Sequence, residues 1–342
     1  MNIDLLHKLC ETPGIPGREE RVRAFIQKSA RDLFDDIRTD ALGSLICTRK
    51  PTAKGSARSN KMAKPTRVML AAHMDEIGFY IRHVDDQGFL WLNPAGGFDP
   101  RNLFSRRVLV CTDNGDYQGV MNPGGKPIHI STPEDRKKVP ELNEFFIDLG
   151  MRAEDVLKNV KIGDFVVMHE PFLNLPTCVI SKALDNRIAC FVALEAVREL
   201  HRAKTKHSCE VVVAFTTQEE VGLRGAMTAA HSVNADLGVG LDVTLACDTP
   251  GVPDNQRVSK HGDGCALLMQ DSSMIADHEL VRDMEAIAKR HKIAVQRSIL
   301  PLGGQDGAAI QRSHSGVRTT ALCVGTRYIH TVTESANKKD LQ

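Results

Sequence analysis

The sequence predicts an α/β fold, a mostly parallel sheet with helices on both faces, interrupted by an inserted all-β domain. Three observations predict it. Short apolar runs at residues 68–72, 211–215 and 319–324 read as strands buried on both faces, and amphipathic helical segments alternate with them. Between residues 77 and 178 the pattern changes to short strand-like runs separated by turn residues, the signature of a barrel-like β domain. Several of the buried runs end directly in an acidic residue or a histidine. The expected division is therefore 1–76 and 179–342 for the α/β domain and 77–178 for the insert.

Ile3, Leu5, Leu6 and Leu9 share a helical face that Thr12-Pro13-Gly14 stops, and Val22, Phe25, Ile26 and Leu33 mark a longer amphipathic helix. Residues 50–67 offer little to bury, which predicts a mobile surface loop. The run at 68–72 then delivers His73-Met74-Asp75-Glu76. Inside the insert, residues 79–84 precede Asp85-Asp86-Gln87-Gly88, residues 107–111 precede the hairpin signal Asp113-Asn114-Gly115, and residues 165–168 follow Gly163-Asp164. Residues 122–149 read as a loop-rich excursion, and no segment of the insert shows a helical period comparable to those on either side.

The α/β pattern resumes at Ser181. Cys190, Ala193, Leu194, Val197 and Leu200 form the face of a helix that begins just after Asp185, so Asp185 reads first as its cap, a position compatible with a metal bridge. The run at 211–215 ends in Thr216-Thr217-Gln218-Glu219-Glu220, two adjacent carboxylates at a strand exit. A short helix is expected at 226–231 and an apolar strand at 235–241, ending at Asp242. Another amphipathic helix carries Leu280, Val281, Met284, Ile287 and Ala288, followed by a strand at 294–299. Gly303-Gly304-Gln305-Asp306-Gly307 opens the next helix, and the last apolar strand leads to Arg327-Tyr328-Ile329-His330.

Forty-four Lys+Arg against 43 Asp+Glu leave a formal charge of +1, which gives no sign of the broad basic surface that nucleic acid or an anionic membrane needs. No apolar run approaches membrane-spanning length, and Met1-Asn2-Ile3-Asp4 lacks the build of a signal peptide. Nine cysteines are scattered singly with no C-x-x-C pair, which suggests reduced thiols in a cytoplasmic protein.

His73, Asp185, Glu220, Asp242 and His330 all flank strand ends. Two imidazoles and three carboxylates are the inventory of a co-catalytic site for two divalent ions, with one aspartate bridging and a shared water made acidic. Zinc suits these donors, and cobalt or manganese fits them too. Asp75 is placed to support the other nitrogen of His73, and Glu219 is left free to move the proton that amide hydrolysis requires.

These motifs, in order, resemble the co-catalytic zinc aminopeptidases, which include glutamyl aminopeptidases and the tetrahedral, self-compartmentalising aminopeptidases. The resemblance rests on His73-Met74-Asp75-Glu76-Ile77-Gly78, Ala183-Leu184-Asp185-Asn186-Arg187, Gln218-Glu219-Glu220-Val221-Gly222-Leu223-Arg224-Gly225, Asp242-Val243-Thr244, Gly303-Gly304-Gln305-Asp306 and Arg327-Tyr328-Ile329-His330, and it runs over nearly the whole chain. It implies that His73 and Asp242 hold one metal, Glu220 and His330 the other, that Asp185 bridges, that Glu219 is the acid/base and that Asp75 supports His73. It further implies a zinc-peptidase α/β domain, short peptide substrates, and a β insert driving a homo-oligomer such as a tetrahedral dodecamer.

The chain departs from the family pattern at Gln305, where threonine is usual, a change expected to alter substrate positioning. It departs also in the residues around Val332, and at Gln342, where the family's last helix would be starting. Members of this family have been labelled endoglucanases, so a glycoside hydrolase using Glu219 and Glu220 is the alternative enzyme, but adjacent carboxylates do not readily flank a glycosidic bond. A non-catalytic or chaperone-like assembly is the other alternative, against which the complete ligand set argues.

Overall fold

Alternation along each central strand sends side chains to two faces, and here both faces are covered. In the strand Glu210–Thr216, Val213 and Phe215 pack with the helices Ile3–Glu11, Glu20–Ala30 and Leu184–Arg202. Val212 and Ala214 point the other way, toward Ala229, Ala230 and Val233 of helix Arg224–Val233 and Ile310 of helix Gly307–Gln311. A fully buried side chain such as Leu194 or Ile188 contributes about 1.5–3 kcal/mol, so the Leu184–Arg202 helix is firmly seated on the sheet. The computed structural model describes residues 1–53 and 64–342. Most of the loop expected over 50–67 thus lies outside the described residues, and Arg67 already opens a strand.

The strands Glu210–Thr216, Arg67–His73, Leu237–Leu245 and Arg318–Arg327 lie side by side and parallel at the centre of an 11-stranded sheet. Antiparallel strands flank them. Leu45–Arg49 and Asp36–Thr39 close one side. On the other, Cys265–Gln270 and Glu334–Asn337 each pair with part of Arg318–Arg327, and Cys178–Ser181 and Leu173–Asn174 continue outward. The segment after His330 is therefore a strand of the main sheet.

The insert is a closed barrel of the strands Gly78–Val84, Leu90–Ala95, Phe145–Asp148, Gly115–Pro123, Arg106–Thr112 and Phe165–Met168, in that spatial order. Phe79, Val108, Val110, Phe145 and Ile147 fill it. The expected hairpin forms: Thr112 pairs with Gly115, and the Asn114 amide donates to Thr112 Oγ1 at 3.0 Å.

Three details of the insert differ from the sequence reading. The barrel ends at Met168, because residues 173–174 and 178–181 pair into the main sheet. The excursion contains the barrel strand Phe145–Asp148. A helix, Ala153–Asn159, is present but spans two turns and buries only Val156, too little to print a period. Among the described residues no helix is long and apolar enough to cross a membrane, and all nine cysteines are unpaired.

Arg327, at the end of the last central strand, grips Asp248 through Nε to Oδ1 and Nη2 to Oδ2, each at 2.7 Å. This pair fixes the root of the loop that carries His330. The guanidinium holds the Asp248 carboxyl down at about 2. A depressed folded-state pKa contributes stability that is complete above the ordinary value of 3.8 and fades as pH falls through about 2. Asp248→Asn should therefore lower the melting temperature near pH 7, by about 1–2 °C for a partly exposed pair. The difference from wild type should shrink steadily as melting curves are taken toward pH 2; a constant difference would count against the pair.

Candidate metal centre

The site is assembled where the central strands end. His73 is the last residue of Arg67–His73 and is 1% exposed. Its Nδ1 lies 3.0 Å from the Asp75 carbonyl, which can only accept, so Nδ1 carries a proton and Nε2 faces the site. The Asp75 carboxylate is farther from Nδ1, at 3.6 Å. Its oxygens are engaged elsewhere: Oδ1 accepts from the Glu219 amide and Oδ2 from the Glu220 amide, both at 3.1 Å. The expected carboxylate support of His73 is thus mainly support from the backbone of the same residue, and the carboxylate organises the glutamate pair instead.

Asp185 stands between the two imidazoles. Oδ1 is 3.2 Å from His73 Nε2, and Oδ2 is 3.3 Å from His330 Nε2. The cap role suggested by the sequence falls to the next residue: the Ala189 amide donates to Asn186 Oδ1 at 3.3 Å, while Asp185 keeps non-helical backbone angles. Asn186 also donates to the Leu241 carbonyl at 2.9 Å, tying the helix start to the strand that bears Asp242.

Asp242 lies within the strand Leu237–Leu245 and not at its end, as the sequence had suggested. Pairing with Arg67–His73 stops at Gly240, whereas pairing with Arg318–Arg327 runs on to Leu245. The strand is therefore open on the site's side from Asp242 onward. Asp242 Oδ1 is 3.9 Å from His73 Nε2, Glu219 Oε2 is 3.8 Å from the same atom, and Glu220 Oε2 is 3.4 Å from His330 Nε2. All the candidate residues His73, Asp75, Asp185, Glu219, Glu220, Asp242 and His330 converge on one place.

The donor set fits divalent cations. One donor atom each from His73, Asp185 and Glu220, and likewise from His73, Glu219 and Asp242, lie within 4.8 Å of one another. Glu220 Oε1 is buried without a hydrogen-bond partner. Burial drives the Glu219 and Asp242 carboxyls well above their usual range; His73 opposes this, and neighbouring carboxylates add to it. Burial also opposes charge on His330, but Asp185 and Glu220 outweigh it and push the imidazole up to about 12. Negative charge is concentrated here beyond what the two imidazoles balance, and a cation relieves it.

The family described as M42 glutamyl aminopeptidase matches residues 55–342. The chain belongs to the peptidase M42 family. A putative aminopeptidase of Acetivibrio thermocellus is 35% identical over 99% of this chain and 94% of its own length. Among solved structures, a TET aminopeptidase from a marine-sediment Thaumarchaeota archaeon has a TM-score of 0.92 at 33% identity, covering 99% of this chain and 92% of its own. The Pyrococcus horikoshii TET1 peptidase, which assembles into a tetrahedron or an octahedral shell, has a TM-score of 0.86 at 32% identity, covering 100% and 96%.

Two residues of this M42 chain take places that the sequence did not reveal. Gln305, the departure from the family's threonine, does not face the cleft: it is 4% exposed, accepts from the Gly307 amide at 2.6 Å and packs against Gly240, where a β-carbon would collide with it. Glu334, 2% exposed, accepts from the Asp185 amide at 2.9 Å and from the His330 amide at 2.8 Å. It thereby spaces two of the converging residues. The only sequence signal is an acid four residues after His330, indistinguishable from a surface charge.

Glu334→Leu orphans both amides and should lower the unfolding free energy by about 2–4 kcal/mol. Glu334→Gln keeps one acceptor and should lose roughly half as much. Urea titrations of the two variants test this ranking, and equal losses would mean that only one amide depends on the side chain.

Proposed function

We propose that this protein is a metal-dependent exopeptidase that removes N-terminal residues from short peptides. The observation that carries the reading is Asp185, whose two oxygens face two different imidazoles, with Asp242 beside one and Glu220 beside the other. His73 and Asp242 would hold one ion, His330 and Glu220 a second, and Asp185 would be shared. Zinc suits this set, with cobalt or manganese able to replace it. Ions in such a site supply Lewis acidity and lower the pKa of water toward neutrality.

The remaining chemistry belongs to the chain. Glu219, anchored through its amide to Asp75, keeps its carboxylate at the cleft. It takes the proton of the attacking water and returns it to the leaving amine. A glycosidase reading is not favoured: the amides of Glu219 and Glu220 sit on one carboxylate, so the two cannot flank a sugar ring from opposite faces. The free thiols and near-neutral net charge suit a cytoplasmic enzyme without nucleic acid or membrane partners.

Glu219→Gln should reduce turnover of an aminoacyl p-nitroanilide by about 10²–10⁴-fold with metal content unchanged. Glu220→Gln should instead bind metal more weakly, and excess zinc or cobalt should restore part of its activity. Elemental analysis beside kinetics separates the two; a Glu219→Gln enzyme rescued by metal while Glu220→Gln is not would reverse the assignments.

The same reading includes assembly into a homo-oligomer, as the TET1 relative assembles, with the barrel as the interface in this chain. None of the converging residues lies in the barrel, and its excursion exposes Ile128, Ile130 and Val139. Because Phe79 pairs with Val166, the barrel's two ends lie side by side and a short linker can replace residues 78–168. Light scattering should then report a smaller particle, and an unchanged mass would move the interface to the α/β domain.

A further inference from the structure

The metal cluster forms only part of the cleft, whose volume is about 560 Å³. Leu223, Val243, Leu245, Leu300, Leu302 and Ile329 line much of the rest. Among the described residues no lysine or arginine lines it, and its only carboxylates are the four of the cluster. The polar side chains of the loops carrying Asp271 and Gly303 are satisfied among themselves, while Thr244 Oγ1 on the neighbouring strand is buried without a partner. Asp271 accepts from the Ser273 amide at 2.7 Å, the Ser273 hydroxyl at 2.8 Å and the Met274 amide at 2.7 Å, and the Ser272 hydroxyl donates to the Gly303 carbonyl. Gln305 reaches toward Asp271 from the second loop, at 3.5 Å, and so braces the two loops against each other.

We infer that the cleft accepts peptides whose first residue has an uncharged aliphatic side chain, leucine or one of similar size. This rests on the exopeptidase reading above. The cluster must receive the terminal amine and the scissile carbonyl, which leaves the apolar wall for the first side chain. A lysine or glutamate side chain placed there leaves water with no counter-ion opposite it, whereas an aliphatic one covers exposed carbon such as Leu302, 82% exposed. Size discrimination in such a pocket amounts to roughly 10–200-fold per methylene at most. Charge discrimination is larger, because no partner is supplied.

The test uses the full chain loaded with zinc or cobalt and the p-nitroanilides of leucine, alanine, glutamate and lysine. Leucine should exceed alanine in kcat/KM by about tenfold or more, and glutamate and lysine by a wider margin than alanine. Leu302→Arg, at a surface position where folding is not at stake, should raise the glutamate-to-leucine ratio at least about tenfold, as a new counter-ion would. A wild-type preference for glutamate or lysine overturns the inference, as does an unchanged ratio in the variant. If no aminoacyl substrate is cleaved by protein shown to carry metal, the exopeptidase reading fails instead. Calorimetry with free L-leucine, L-glutamate and L-lysine then decides the pocket's preference alone, and tightest binding of either charged amino acid would refute it.

Discussion

A carboxylate taken out of water needs donors, and Asp75, with no surface exposed, finds two in the consecutive amides of Glu219 and Glu220. This pairing joins the ends of two neighbouring parallel strands. It also dictates the glutamate turn: Gln218 takes a left-handed backbone, and Gly225 lies so close to the Thr217 backbone that a β-carbon there would clash. Glu19, itself buried, accepts from the Gln218 amide at 3.0 Å and steadies the same turn from the first helical layer. The neighbouring glutamates are thereby held on one rigid segment, with Glu219 nearer His73 and Glu220 nearer His330.

Around that segment the fold accumulates buried acid. Asp185, Glu220, Asp242, Asp306 and Glu334 gather around the imidazoles, and burial works against the charge of each. Several ties precede any ion: the amides of Asp185 and His330 donate to Glu334, the Asn186 side chain donates to the Leu241 carbonyl, and the amides of Glu219 and Glu220 donate to Asp75. The geometry is thus set by amide and carbonyl partners, while the charge is left unbalanced. Preorganisation of this kind places the cost of crowding on folding and leaves cation binding to relieve it.

The sequence revealed the elements whose signal is local. Buried apolar runs ending in His73 and Thr216 announced strand ends, and Asp113-Asn114-Gly115 announced a hairpin, because each depends on neighbours in the chain. What escaped depends on distant partners. Whether Asp185 or Asn186 caps the helix is decided by His73 and His330, which draw Asp185 away. Whether Asp242 ends its strand is decided by which neighbour stops pairing first. Glu334 has no local mark at all, since the amides it receives come from residues 185 and 330. Gln305 was expected to alter substrate positioning; it is buried beside Gly240, which leaves room for it, and braces the loops that line the cleft.

The junction between barrel and sheet follows from the same electrostatic logic. Glu76 is two residues before the first barrel strand, and Lys182 follows the return of the chain to the main sheet. Their side chains meet at 2.6 Å with almost no exposure. Arg187, fully buried, reaches the other Glu76 oxygen at 3.3 Å and donates to the carbonyls of Thr12 at 2.7 Å and Gly14 at 3.3 Å. Removing one partner of such a buried set strands a charge, which is costly, so the three persist together. Both crossings between the domains are thereby clamped next to Asp75 and Asp185. The insert also borders the converging residues directly, with Gly96 packed near Glu220 and Gly97 near His330, so the clamp holds the strand ends in place while the insert forms part of the site's wall.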